Sequence, residues 1–415
     1  MCMRLFNYIK RGMSDICHVW AEEMKNIVHD EGVLIFFVIV PLAYPLLYSW
    51  IYNNEVVEEV PVVVVDHSNT AESRKFIRLA DATPDVAVAY RSGSVEEARR
   101  IIAKGDANGI YEIPSDFGHR LNRMEQTAVA VYCDMSLMLT YKAIYQTAIA
   151  VSGRMNADIQ VALAGNTTQR QDEIVTRPLG FDDVPVFNPT MGYGSFIIPG
   201  VLMLIIQQTL VLGIGLSAGT AREKNRMHEL VPIARQYQGY YRIVLGKSLC
   251  YFMIYAVMAA YLTLIVPKIF SFTSLPDPKA LVGMLLPYVL ACIFFGITVS
   301  CMVRYRENVI LLVVFMSVPL LFVSGVSWPQ SNIPRFWECL SWLFPSTFGI
   351  RSFVRINTMG AELSDVAHEY RALWIQAAFY FFTACGVYRH QILSARGHAL
   401  DRLREIKKKR SGRSA

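Results

Sequence analysis

Charged residues make up only 18% of this 415-residue chain, against roughly 25% in an average soluble domain. They are absent altogether from six long apolar runs, residues 33–51, 196–219, 248–266, 280–303, 309–326 and 372–388. Carriers driven by protons or ions usually keep ionisable groups within the membrane, and an intramembrane hydrolase needs an acid or base beside its substrate. Runs without Asp, Glu, Lys, Arg or His argue against both. None of the eight cysteines falls in a C-x-x-C spacing, so neither a zinc ribbon nor a redox dithiol is indicated. No G-x-G-x-x-G is present to mark a dinucleotide site. Gly246-Lys247-Ser248 has the ending of a phosphate-binding loop, but Tyr241 stands where that loop requires glycine. The chain therefore binds no ATP by that route.

What is present is apolar. Hydrophobic residues reach 53%, aromatics 12%, and the mean hydropathy is +0.31, which excludes disorder as the dominant state. A helix crossing a bilayer needs about 20 predominantly apolar residues, within a range of roughly 17–25. The six runs meet that range, so the expected fold class is an α-helical membrane protein with six transmembrane helices. The first run is too long for the apolar core of a signal peptide and has no small-residue cleavage site after it. It is expected to stay as an anchor, kinked by Pro41 and Pro45.

Basic residues orient the spans. Arg4, Lys10, Arg11 and Lys25 precede the first, and Arg222, Lys224, Arg226, Arg235, Arg242 and Lys247 follow the second. Arg304 and Arg306 follow the fourth, and a run from Arg402 to Arg413 follows the last. Alternating spans bring all four groups to one side, the cytoplasmic one, together with both termini. Residues 52–190 then lie outside, with 13 Lys and Arg against 19 Asp and Glu; the other 27 basic and 15 acidic residues lie elsewhere. The basic tail, 389–415, is expected to touch anionic lipid headgroups rather than nucleic acid.

Within residues 1–32, Ile16, Trp20, Met24 and Ile27 recur at helical spacing with Glu22, Glu23 and Lys25 off that face. The pattern fits an amphipathic helix lying in the headgroup region or packed on other protein. The outer segment alternates strand and helix signals: strands over 61–65, 86–90, 109–113 and 127–132, and helices over 73–80, from a Ser94–Glu97 capping box to Ala103, and over 136–164. An extracytoplasmic α/β domain inserted between the first two spans is expected. Asp66, His67 and Asp134 lie nearest its strand ends, where turn chemistry more often than a ligand explains such residues.

Three further features are candidates for function. Gln207 and Gln208 sit in mid-span and either contact a substrate or hydrogen-bond between helices. Residues 220–247 form a charged loop, helix-compatible at first and broken at Pro232, suited to receive a push from a soluble partner. Residues 327–360 form an outer segment rich in Trp and Phe, broken by Pro329, Pro334 and Pro345 into pieces too short to span. Cys133 and Cys339 are the only cysteines expected outside, where they could pair, although a free buried thiol for each is the stronger expectation.

Taken in order, these motifs resemble the type-2, export-type permeases of ATP-binding-cassette transporters. The resemblance rests on Ile198-Pro199-Gly200 opening the second span and Ala221-Arg222-Glu223-Lys224 closing it, then Glu229, Pro232 and Gly246-Lys247. It rests also on Ser324-Gly325, Pro329, Pro334, the run from Leu340 to Pro345, Arg355 and Gly360. Val63-Val64-Val65-Asp66 and Ile113-Pro114-Ser115-Asp116-Phe117 look like the subgroup with a large domain between spans one and two. Met227-His228 departs from the family, which often has Gly-Thr near that place.

The resemblance implies a non-catalytic permease in a multi-pass cell inner membrane, paired with a second permease as a homodimer or heterodimer. Separate cassette ATPase subunits would bind ATP and Mg. Arg222, Glu223, Lys224 and Glu229, with Pro232 and Lys247, would form the ATPase-coupling loop. Pro199, Gly200, Gln207 and Gln208 would border the translocation path, and Ser324, Gly325, Pro329, Pro334 and Pro345 would shape an external re-entrant segment. A periplasmic adaptor and an outer-membrane channel are implied as further partners. The competing expectation is a membrane-anchored sensor that signals through its outer domain.

Overall fold

The computed structural model of the protein describes residues 2–165, 168–177, 186–188, 191–223, 239–302 and 305–411. It divides into two compact units, residues 54–185 and a helical unit formed by residues 1–53 with 186–415.

The smaller unit is built on β1 (Val60–Asp66), β2 (Val86–Ser92), β3 (Gly109–Ile113) and β4 (Ala130–Cys133), in the order β2-β1-β3-β4. β1 pairs in parallel with β2 and β3, and β4 closes the sheet antiparallel to β3. Parallel neighbours need crossover helices, here α3 (Ala71–Asp81) and α4 (Val95–Lys104). The valine run of β1 is buried on both faces. Val60, Val62 and Val64 pack with Phe76 and with Ile144 and Val151 of α6 (Met138–Ala164), whereas Val63 and Val65 pack with Ala98 of α4. Two short helices were not expected, α5 (Phe117–Asn122) and α7 (Gln169–Thr176).

The helical unit opens with α1 (Cys2–His29) and continues through α2 (Glu31–Ile51), α8 (Tyr193–Glu223), α9 (Tyr240–Ile269) and α10 (Pro278–Met302). It ends with α11 (Arg306–Val323), α12 (Arg335–Ser341), α13 (Pro345–Met359) and α14 (Ala367–Ser411). The hub is α8, apolar all round as a helix buried on every side must be. It packs against α10, α11, α13 and α2, and α10 in turn packs along α14. By contrast α11 is as apolar as its neighbours but largely exposed.

Among the described residues, five helices are long and apolar enough to cross a membrane: α2, α8, α9, α10 and α11. The expected sixth run, 372–388, lies within α14 but does not reach that standard. Gln376, Thr383 and two tyrosines dilute it, and Arg389 follows at once. Its buried side, Leu373, Ala377, Tyr380, Ala384 and Tyr388, repeats at helical spacing.

Where the prolines of α2 were expected to kink it, the helix widens. Residues Ile35–Ile39 make one π-helical turn ahead of Pro41, and Tyr261–Ile265 of α9 do the same ahead of Pro267. Proline has no N–H to give its i−4 carbonyl, and a wider turn lets the preceding N–H groups reach other acceptors. Val40 N–H donates to Ile35 O and Val266 N–H to Tyr261 O, both five residues back.

Candidate functional site: a buried rod and its two ends

Helix α8 carries candidate residues at both ends and in its middle. Near its start, Pro199 and Gly200 lie inside the helix and Gly200 is buried. A methyl on Gly200 would lie 3.0 Å from a methyl of Val326, so glycine lets the residues after α11 settle against α8. Those residues include Ser324 and Gly325, the latter with φ +92°. Ser324 Oγ donates to Leu321 O at 2.6 Å, and its carbonyl accepts from Arg351 Nε at 2.9 Å. Two motifs more than a hundred residues apart in sequence thus meet at one end of α8.

The three prolines of residues 327–360 each stand at the start of a helical element. Pro329 precedes a single 3₁₀ turn, Gln330–Asn332; Pro334 precedes α12; and Pro345 is the first residue of α13. This is where proline, lacking an N–H that would go unpaired anyway, fits a helix best. Trp328, Phe336, Trp337 and Trp342 are all exposed here. Cys339 is exposed too, contrary to the expected buried thiol, because α12 buries only Ser341; Cys133 is half-buried, and both are free.

In mid-helix, Gln207 is 1% exposed and its Oε1 accepts from the backbone N–H of Ser346 at 2.6 Å. Ser346 lies in the first turn of α13, whose N–H groups have no partner within their own helix. Gln207 therefore caps α13 across the core. Its neighbour Gln208 has a buried Nε2 with no hydrogen-bond partner among the described residues. Tyr288 of α10 donates its hydroxyl to Met203 O at 2.5 Å, and Gln376 and Tyr380 of α14 donate to the carbonyls of Trp342 and Leu343. Polar atoms of the bundle thus hold residues 342–346 in place.

At the other end, α8 runs without a break through Arg222 and Glu223, whose side chains lie outside the described residues, as do Lys224, Glu229 and Pro232 entirely. Lys247 was expected as part of the coupling loop, where that loop enters the third span. Helix α9 begins at Tyr240, so Lys247 falls in its third turn and is 5% exposed. Its Nζ donates to Glu23 Oε2 at 2.5 Å, and the hydroxyl of Tyr251 donates to Glu23 Oε1. Glu23 was expected off the apolar face of α1. It lies instead on the buried stripe with Val19 and Ile27, because a buried ammonium opposite requires a carboxylate. Ile16, Trp20 and Met24 flank that stripe, half-buried. The only sequence signal for this pairing was Glu23's i+4 spacing to Ile27.

In the smaller unit the polar strand-end residues serve their turns. Asp66 accepts from the N–H of Ser68 and Asn69 at 2.9 and 3.0 Å and from Ser73 Oγ at 2.7 Å. Asp134 accepts from Ser136 N–H and Oγ, which lowers its pKa. His67 stands 3.8 Å from Glu112. No cluster that could hold a metal ion occurs among the described residues.

Residues 32–385 match the model of a family described as ABC-2 family transporter proteins. The probable multidrug ABC transporter permease YbhR of Escherichia coli K12 is 20% identical over 360 residues, 85% of this chain and 91% of the relative. The protein of the same name from Escherichia coli O157:H7 gives the same figures. With its apolar helices gathered around α8 and the family's pattern running through them from end to end, this chain belongs to the ABC-2 family of transporter permeases.

Proposed function

We propose that the chain is the membrane-spanning, non-catalytic half of an ATP-driven exporter, working by alternating access beside a second permease. The observation that carries this reading is the continuity of α8. Thirty-one residues of helix, at 1.5 Å each about 46 Å long, join the Gly200–Val326 contact at one end to Arg222-Glu223 at the other. A displacement applied at residues 220–247 would reach the far end of the bundle along a single element. Arg222, Glu223, Lys224 and Glu229 are the docking charges for a cassette ATPase that binds ATP and Mg. Gln208, whose buried amide nitrogen has no partner among the described residues, is the better candidate of the two glutamines to meet a substrate. The exposed apolar face of α11 suits lipid or the second permease.

In this reading α14 is the sixth span, since its buried stripe follows α10. Residues 54–185 then lie outside an inner membrane and both termini lie in the cytoplasm. A periplasmic adaptor and an outer-membrane channel are the further partners that such an outer unit would serve.

Purification of tagged protein from its native membrane in mild detergent tests the proposal. A cassette ATPase should come with it, and Glu223→Ala should release that subunit or abolish its stimulation. Absence of any ATPase, and of ATP hydrolysis, would remove the exporter reading. A sensor would then be favoured by one observation, an open groove of about 910 Å³ beside β4, lined by Tyr132, Tyr141 and Tyr145.

A further inference from the structure

Three acidic residues of the N-terminal segment meet three basic residues, each near the start of a helix that follows a basic loop. Asp15 pairs with Arg242 at 2.7 Å, Glu23 with Lys247 at 2.5 Å, and Asp30 with Arg306 at 3.8 Å. The first two pairs join α1 to α9, and three of their four side chains are almost fully buried. Between them the helices cross at Gly246, where a methyl would lie 2.7 Å from Val19 Cβ and 2.9 Å from the carbonyl oxygen of Ile16. Only a residue without a side chain permits that approach. On one side of the crossing is Asp15–Arg242. On the other, Glu23 is held through both carboxylate oxygens, by Lys247 and by Tyr251.

We propose that these contacts make α1 and the first turns of α9 one rigid body. Movement of the start of α9 then carries α1 with it. Glu23 and Lys247 act here as positioning residues, and neither touches a partner. Two buried charges gripped at both oxygens have one geometry, whereas apolar contact alone lets a helix roll or slide. The flanking pairs fix the crossing against rotation, and Gly246 fixes its depth. The driving force rests on the exporter reading, but the rigidity of the joint does not.

Spin labels at Met13→Cys and Val257→Cys, both exposed positions on α1 and α9, test the joint by pulsed dipolar distance measurement, with accessible native cysteines changed to serine. The unaltered pair should give one narrow distance, unchanged between nucleotide-free and vanadate-trapped complexes. Glu23→Leu with Lys247→Met replaces the pair by apolar groups of similar size. That variant should keep its elution profile but broaden the distance distribution even without nucleotide. The reversal Glu23→Lys with Lys247→Glu should narrow it again. Should the apolar variant not fold, Asp15→Asn with Arg242→Gln gives the same comparison at the second pair. A distribution as narrow as the parent's after removal of a pair overturns the proposal. So does a shift on trapping of more than about 2 Å, the upper end of ordinary helix translations at interfaces. The nucleotide-free comparison reads the joint whether or not an ATPase is retained, so absence of that subunit counts against the exporter reading alone.

Discussion

Gln207 shows how one side chain in an apolar helix is spoken for. Its amide oxygen caps α13 at 2.6 Å, and Gln207→Leu would leave the Ser346 N–H buried and unpaired, at a cost of about 1–3 kcal/mol. The expected result is a lower unfolding temperature for the detergent-solubilised protein. Reduced export at unchanged stability would instead make Gln207 a substrate contact. Lys75 and Asp158 present the opposite case, an ion pair at 2.8 Å between half-exposed side chains of α3 and α6. The hydrogen bond from Lys75 lowers the Asp158 pKa. Such a carboxylate contributes stability above its unfolded value of about 3.9, and the contribution fades as pH falls through the lower folded value. Lys75→Met should cost no more than about 1 kcal/mol at neutral pH, and the difference from the parent in hydrogen-exchange protection of α3 should shrink progressively as pH falls below the unfolded value. Polarity in an apolar run made Gln207 visible from sequence. Glu23 was visible only through its i+4 spacing to Ile27, because α1 does not record that a lysine more than two hundred residues away needs a partner.

At the scale of elements, local signals served well where local chemistry decides. The strand over Val60–Asp66 and the helix ending at Lys104 lie close to their expected ranges, marked by β-branched residues and by Gly105 with φ +84°. Capping was subtler. Ser94 accepts from Glu97 N–H, but the Glu97 carboxylate goes to Ser92, so the expected box is one-sided. The reciprocal box is Thr70 with Ser73, whose serine in the place of the usual glutamate hides it. The contact between α8 and the residues after α11 depends on shape rather than pattern. Gly200→Leu would press against Val326 and Ile350 and should destabilise by about 1–3 kcal/mol, as overpacking does. Gly200→Ala should cost less. Thermal unfolding of both variants checks the order, and equal stability of all three proteins would show that the contact yields freely.

For the whole molecule, the number of crossings turns on α14, since five helices among the described residues meet the standard for a span and α14 does not. The two counts place the same cysteines and the same tail on definite sides of the membrane. Cys339 and Cys17 are both exposed free thiols; an odd number of spans separates them if the orientation read from the basic loops holds. A membrane-impermeant maleimide added to cells with a permeabilised outer membrane should therefore label Cys339, and label Cys17 only after lysis. The sixth crossing is read in the same experiment by a Ser414→Cys variant. Protection until lysis requires α14 to cross, returning the basic tail to the side where anionic headgroups attract it. Labelling from outside would leave α14 on the outer surface and strand its lysines and arginines there, against the rule that places such residues inside. The packing of Leu373, Ala377, Tyr380 and Ala384 within the bundle favours protection, because a helix buried along α10 shares that helix's passage through the bilayer.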